Sequence, residues 1–451
     1  MQKFIAKSSE LFDRFDPKYV AFKRRAATFR YPAVKMGSLL SESPEYGAGE
    51  AGIERVDEAT PRYIRITDID ENGELLPGLG MTAANVEPQY FLRDGDLLFA
   101  RSGNTVGKSY LHESERVPYP CFYAGYMIRF RFGEKVLPKY VFAFAQTPYY
   151  HEWVSAIQRS AGQPNINAQE YRSLEIPLPP LPVQRKIVAE LDAAYAAKRA
   201  ADEKATKLLA SIDDMVLSEL GIAKLPKPDT SLPSRIFTVP AKEVAHATLA
   251  PDHYFDSIDF SKAKYPCERF VERIDIDPPC GLEQITKLVP MERVSAEWCA
   301  IESIEDISPD ATQGYSTFRG GDVIWARITP CMENGKSAVV EAEPSECFCG
   351  STEFLVFRPK DNKVNPYYLQ SLLHLKRFRE VAAHHFTGTS GHQRVTADFF
   401  KAISIPIPPR SVQDRIASKA SSIRTEARKL KADATAALES ARRKIEVKII
   451  G

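Results

Sequence analysis

The sequence predicts an α+β protein made of two tandem copies of one mixed α/β module, separated by long helices that form an antiparallel coiled coil. Three observations carry this expectation. A chain of 451 residues exceeds a single ordinary core and calls for two domains. Its halves repeat one another at an offset of about 230 residues. After each module a proline-rich stop gives way to a helical pattern with a seven-residue apolar repeat.

The repeat runs through several blocks in the same order. FDPKY near Asp16 and YIRITDID (Tyr63 to Asp70) in the first half match APDHY near Asp252 and WCAIESIED (Trp298 to Asp306) in the second. GDLLFAR (Gly95 to Arg101) matches GDVIWAR (Gly321 to Arg327), each an acidic turn leading into a short apolar run that reads as a buried strand. A loop follows each strand and closes on Gly-Lys-Ser, with Lys108 in the first copy and Lys336 in the second. MIRFRF at Met127 then matches FLVFRP at Phe354, and PKYVFAF at Pro138 matches PYYLQSL at Pro366 as the opening of a helix. The strongest match pairs SAGQPNINAQEYRSLEIPLPPLPVQRKI (Ser160 to Ile187) with TSGHQRVTADFFKAISIPIPPRSVQDRI (Thr389 to Ile416).

The helical seams come next. Ile187, Leu191, Ala194, Ala201, Ala205, Leu208, Ile212 and Met215 fall on one face after the first copy. Ile416, Ala420, Ile423, Ala427, Leu430, Ala434, Ala437 and Ala441 do so after the second, with small residues that permit close helix approach. Helices of roughly 35 to 40 residues span about 50 to 60 Å. The expected boundaries are a first module at 1–178, a spacer helix at 179–220, a proline-rich linker at 221–240, a second module at 241–407 and a second spacer helix at 408–451.

Composition narrows the function classes. With 44% hydrophobic and 26% charged residues the chain is neither disordered nor membrane-embedded, and no stretch reaches the roughly 20 apolar residues of a spanning helix. The N-terminus lacks the apolar run of a signal peptide, so the cytoplasm is the expected compartment. Seven scattered cysteines suit reduced thiols better than a disulfide framework. A net charge of +1 is low for bulk electrostatic binding of nucleic acid, so any such positive charge must be concentrated on loops or supplied by partners.

Three enzyme-like signals are incomplete. SGNTVGKS (Ser102 to Ser109) approaches the phosphate-cradling loop, but Ser102 stands where its first glycine belongs. Asp277-Pro278-Pro279-Cys280 approaches the motif by which amino-methyltransferases hold a flipped base, yet Cys280 cannot stack as an aromatic would. Cys347 and Cys349 with His384, His385 and His392 lack paired ligand sets at structural-zinc spacing. No catalytic residue, cofactor or metal is expected.

IPLPPLPVQRKIVAELD and IPIPPRSVQDRIASKAS resemble the two boundary segments of Type I restriction-modification system specificity (S) subunits, and GDLLFAR and GDVIWAR are similar to that family's recognition-domain strands. The resemblance covers almost the whole chain. It implies two target-recognition domains, each reading half of a bipartite asymmetric site in double-stranded DNA. It also implies that the helices set half-site spacing and dock methyltransferase (modification) subunits, two of them, in a complex that restriction endonuclease/translocase subunits join. The subunit would be non-catalytic. A specificity subunit of a related defence or methylation-only system is one alternative; a stand-alone adenine DNA methyltransferase and a structural adaptor are alternatives of different class.

Candidate DNA contacts lie on the loops. Arg101 and Arg327 end equivalent strands and suit a guanine edge or a phosphate as well as they suit a salt bridge. Lys108 and Lys336 share that ambiguity. Gln163 and Asn165 in the first copy, with His392, Gln393 and Arg394 in the second, carry groups suited to base edges, though such residues also build turns. Asn104 and Asn334 complete the set.

Overall fold

The structure is a computed structural model. It describes residues 17–24, 29–158, 164–225, 256–280, 285–388 and 393–450, with scattered positions between 227 and 241. It divides into two compact units that do not follow chain order: residues 1–200 with 433–451, and residues 201–432.

The first unit holds helix α1 (Pro17–Arg24) and strands β1 (Ala33–Lys35), β2 (Glu45–Tyr46), β3 (Gly52–Glu54), β4 (Arg62–Ile64) and β5 (Met81–Ala83). Strands β6 (Leu97–Ala100), β7 (Ser109–Leu111), β8 (Cys121–Tyr123) and β9 (Met127–Phe130) follow. Helices α2 (Pro138–Phe144), α3 (Pro148–Ile157) and α4 (Ala168–Arg172) lead to β10 (Glu175–Pro177) and the start of the long helix α5 (Leu181–Leu220). One sheet has the order β2-β9-β6-β7 and is antiparallel; a second has the order β3-β5-β4-β8, with β4 and β8 parallel.

Strand β6 explains the uninterrupted apolar run of GDLLFAR, because both its faces are covered. Leu97 and Phe99 enter the core with Tyr140, Phe144 and Trp153, while Leu98 packs between the sheets against Tyr63, Phe122 and Met127. The Gly-Asp before it is scaffold. Gly95 takes φ +82°, which a side chain would resist, and Asp96 receives both Nε and Nη2 of Arg131 at 2.7 and 3.0 Å.

The second unit begins with the end of α5 and continues through β11 (Cys267–Arg269), α6 (Phe270–Arg273), β12 (Ile274–Ile276), β13 (Lys287–Val289), β14 (Val294–Ser295), β15 (Ala300–Ile301) and β16 (Glu305–Asp306). Next come β17 (Ser316–Arg319), β18 (Val323–Ala326), β19 (Ser337–Val339), β20 (Cys347–Gly350) and β21 (Phe354–Pro359). Helices α7 (Pro366–His374) and α8 (Lys376–His384), strands β22 (Phe386–Thr387) and β23 (Arg394–Val395), helix α9 (Ala397–Ala402), strand β24 (Ser404–Pro406) and the start of the long helix α10 (Arg410–Ile449), up to residue 432, complete it. Its sheets have the orders β12-β21-β18-β19 and β16-β13-β20-β17. The first reproduces the β2-β9-β6-β7 sheet strand for strand, and Asp322 again receives Nε and Nη2 of Arg358, both at 2.7 Å.

The recurring proline-rich ends have the same explanation. Gln184 is fully buried; its amide oxygen accepts from the Leu137 backbone and its nitrogen donates to the Pro179 carbonyl. Gln413 does the same for Asn365 and Pro408. Each glutamine thus fastens the start of a long helix to the start of α2 or α7. Tyr140 and Tyr368 donate to the carbonyls of Pro177 and Pro406 at 2.6 and 2.7 Å.

Each long helix contains 40 residues, a length of roughly 60 Å. Within the first unit α5 and the end of α10 run antiparallel: Glu190 meets Lys448, and Tyr195 meets Arg442. Within the second, Glu219 near the end of α5 pairs with Arg415 and Lys419 near the start of α10. The two helix ends are received alike, the Leu220 carbonyl by the Lys264 N–H and the Ile449 carbonyl by the Arg30 N–H. The second seam departs from its expected phase at the end: Ala437 is exposed, and Leu438, Ile445 and Ile449 are buried instead. They leave the heptad because this stretch packs into the first unit's core with Leu191 and Tyr195, and that surface sets the phase.

Two further expectations are corrected. The strand that pairs in parallel with β20, as β4 does with β8, is Lys287–Val289 and not the Trp298–Asp306 block, which forms a short hairpin partner and an edge strand. Similar short apolar runs hid the shift. Cys280 and Cys347 are joined in a disulfide, with Cα atoms 6.3 Å apart, where reduced thiols were the better-suited expectation. Sheet register brings the loop after β12 against β20, a proximity that a separation of 67 residues conceals.

Candidate nucleic-acid interface

The two arginine-tipped strands end at equivalent points, and backbone pairing fixes which residues share them. In the first unit the Arg101 N–H donates to the Tyr126 carbonyl at 2.9 Å, and the Ile166 N–H donates to the Arg101 carbonyl at 2.8 Å. In the second the Arg327 N–H donates to the Glu353 carbonyl and the Val395 N–H to the Arg327 carbonyl, both at 2.9 Å. Isolated bridges repeat the match: Ser102 with Asn165, Ile328 with Arg394. Tyr126 and Glu353 therefore occupy one position, and Asn165 and Arg394 another.

On this common backbone the side chains differ. In the first unit the Arg101 guanidinium lies 4.9 Å from the Tyr46 ring centre, a cation–π contact, and its buried Nε has no hydrogen-bond partner among the described residues. Tyr126 is 67% exposed beside it. In the second unit Arg394 grips the Glu353 carboxylate from two nitrogens, Nε at 2.8 Å and Nη2 at 2.7 Å, while Arg327 Nε stands 3.6 Å away. Hydrogen bonds from Arg394 hold the Glu353 carboxyl below the usual carboxylate range, so it is charged at neutral pH. The second cluster couples two cations with an anion; the first offers one cation with aromatic and amide groups.

The remaining candidates divide. Asn104 and Asn334 are exposed in the loops after β6 and β18, and the Thr329 N–H donates to the Gln393 carbonyl beside the arginine pair. The ammonium groups of Lys108 and Lys336 instead turn to the scaffold, donating to the carbonyls of Ile69 and Met291 at 2.8 and 2.9 Å. Gln163 and His392 lie outside the described residues. Sequence reading missed Tyr46, Tyr126 and Glu353. The last two were detectable, since each immediately precedes the recurring strand at a position where the copies differ.

Among the described residues no group of His, Cys, Asp and Glu is placed to hold a metal ion, and no helix is long and apolar enough to cross a membrane.

The profile of the type I restriction modification DNA specificity domain matches residues 81–207 and again residues 295–440, more than half of the chain. The chain belongs to this family. Each segment matched to the specificity domain contains one arginine-tipped strand end and runs on into a long helix. The chain is 33% identical over 135 residues to the type I restriction enzyme EcoAI specificity subunit of Escherichia coli, and 31% identical over 136 residues to the EcoEI specificity subunit of that organism. Each alignment takes in 30% of this chain and 23% of the relative, so the chain spans about a quarter of the length of the curated relatives it matches. Over 93% of its length it aligns with 95% of the HsdS subunit from Thermoanaerobacter tengcongensis at 17% identity and a TM-score of 0.35, too low to add to the family assignment.

Proposed function

We propose that this chain is the sequence-reading subunit of a restriction-modification assembly. Each unit's module (1–178 and 241–407) reads one half of a bipartite, asymmetric site in duplex DNA, and α5 and α10 set the spacing. The observation that carries this is the contrast between a scaffold repeated in both modules, in the β2-β9-β6-β7 and β12-β21-β18-β19 sheets, and different chemistry at the strand ends. A bipartite reader needs two similar heads, because each meets the same duplex geometry, and different side chains, because the half-sites differ.

The proposed contacts are Arg101, Asn104 and Asn165 in the first module and Arg327, Asn334, Gln393 and Arg394 in the second. Gln163 and His392 belong with them by their place in the chain. Lys108 and Lys336 serve to hold their loops. The subunit performs no chemistry and needs no cofactor: two methyltransferase subunits modify the DNA, restriction and translocation subunits join through the complex, and the assembly works in the cytoplasm, where its DNA is.

Co-expression with candidate methyltransferase subunits, followed by mapping of methylated adenines on genomic DNA, tests this. A bipartite motif that vanishes without the chain, and loses one half when one module is replaced, is the expected result. Unchanged methylation with its partners present overturns the proposal.

A further inference from the structure

Recurrence between the modules marks scaffold: Asp96 and Asp322, Gln184 and Gln413, and Tyr140 and Tyr368 each make one contact twice. Specificity must then reside where equivalent positions differ, and the sharpest difference is Glu353 against Tyr126. A carboxylate among DNA-facing arginines is informative, because phosphate repels it; such a group contributes to binding by meeting a base edge.

Its environment shows which edge. Glu353 is half-buried, with its side chain 20% exposed, and Arg394, 36% exposed, is held on it in a fixed fork. A carboxylate offers about four acceptor sites, more than the two nitrogens that Arg394 directs at it, with Arg327 Nε 3.6 Å from the same group. The pair therefore presents an acceptor-only group beside guanidinium donors. A C·G pair presents the complement in the major groove, the cytosine N4 amino donor beside the guanine O6 and N7 acceptors.

Resting on the DNA-reading function above, we propose that Glu353 is a specificity-determining residue of the second module, reading a C·G base pair through the cytosine amino group while Arg394 addresses the guanine. Asn165 and Tyr126, at the matching places in the first module, have no acceptor-only group and do not select that pair there.

The test is selection from a randomised duplex library by the full-length chain co-purified with the methyltransferase subunits used above, comparing wild type with Glu353→Gln and Arg394→Ala. Glu353→Gln keeps shape and size but replaces one acceptor oxygen with a donor. The expected result is about a tenfold or greater loss of preference for C·G at one position of one half-site, with the other half-site unchanged. Arg394→Ala is expected to relax the same base pair. Uniform weakening across all positions, or an unaltered motif, shows Glu353 to be only a clamp for Arg394 and overturns the inference. Failure of the wild type to select any motif overturns the DNA-reading function itself, and is told apart because it precedes any substitution.

Discussion

Arg442 donates from Nη2 to the phenol oxygen of Tyr195 at 3.0 Å, joining the end of α10 to the first half of α5 inside the first unit. The same nitrogen reaches the side-chain oxygens of Gln146 and Asn72 at 3.0 and 3.1 Å, and the residue is only 7% exposed. One cation near the C-terminus therefore gathers helix α5, the end of α2 and the loop at Asn72.

Arg442→Ala removes the donor from those three oxygens, of which those of Tyr195 and Gln146 are buried. A loss of about 2–4 kcal/mol is expected. Urea unfolding should shift accordingly, and hydrogen exchange should place the loosening in residues 70–74 and 146–195. Wild-type protection there in the variant would refute the role.

Gln184→Leu and Gln413→Leu remove the same fastening from different units. Each leaves a backbone N–H, part-buried at Leu137 and buried at Asn365, and the carbonyls it served unpaired, for an expected cost of about 1–3 kcal/mol. Because the contacts do not overlap, the losses should add in the double variant. A denaturation series on all four proteins decides this.

His374 predicts an acid sensitivity of the second unit. Burial pushes its imidazole down to about 3, with Arg379 and Arg424 adding to the effect, and its Nδ1 lies 3.3 Å from Cys299 Sγ. The folded state thus binds a proton less readily than the unfolded chain, whose histidine titrates near 6.5. Stability is full above that value and declines as pH falls from about 6.5 towards 3, by about 2 kcal/mol at pH 5. Gln146 holds the matching place relative to Pro138, so His374→Gln should fold and flatten the profile between pH 7 and 5. A melting curve with the same slope as wild type would contradict this.

Arg55 is 2% exposed and has its three donor nitrogens on backbone carbonyls, those of Thr60, Leu79 and Glu58, with its guanidinium 4.2 Å from the Tyr119 ring centre. It staples the loops on either side of β4. Arg55→Ala should open new proteolytic sites within residues 55–60 and 76–80 and lower stability by about 2–4 kcal/mol, whereas Arg55→Lys, with one nitrogen for three carbonyls, should rescue it only in part. Limited proteolysis with mass-spectrometric mapping reads the difference.

The module pair, the buried strands and the long helices were legible because each imposes a repeating local pattern. Gly95 and Gly321 mark the turns before β6 and β18, and Leu97 to Ala100 are apolar without alternation because both strand faces are covered. The site was half legible. Arg101, Arg327 and Arg394 stand out as candidates from their place after a strand or in a variable loop, and the structure brings them to equivalent strand ends; Lys108 and Lys336 read the same way, yet their ammonium groups donate to backbone carbonyls.

The sequence by itself determined the tandem repeat, the α+β class and the helices, since periodicity and turn chemistry act over neighbouring residues. Only the tertiary structure decided that residues 433–451 belong with the first unit, that Cys280 meets Cys347, and that Glu353 lies between two arginines. These are pairings between distant positions, and strand register and core packing, which no local pattern encodes, select them.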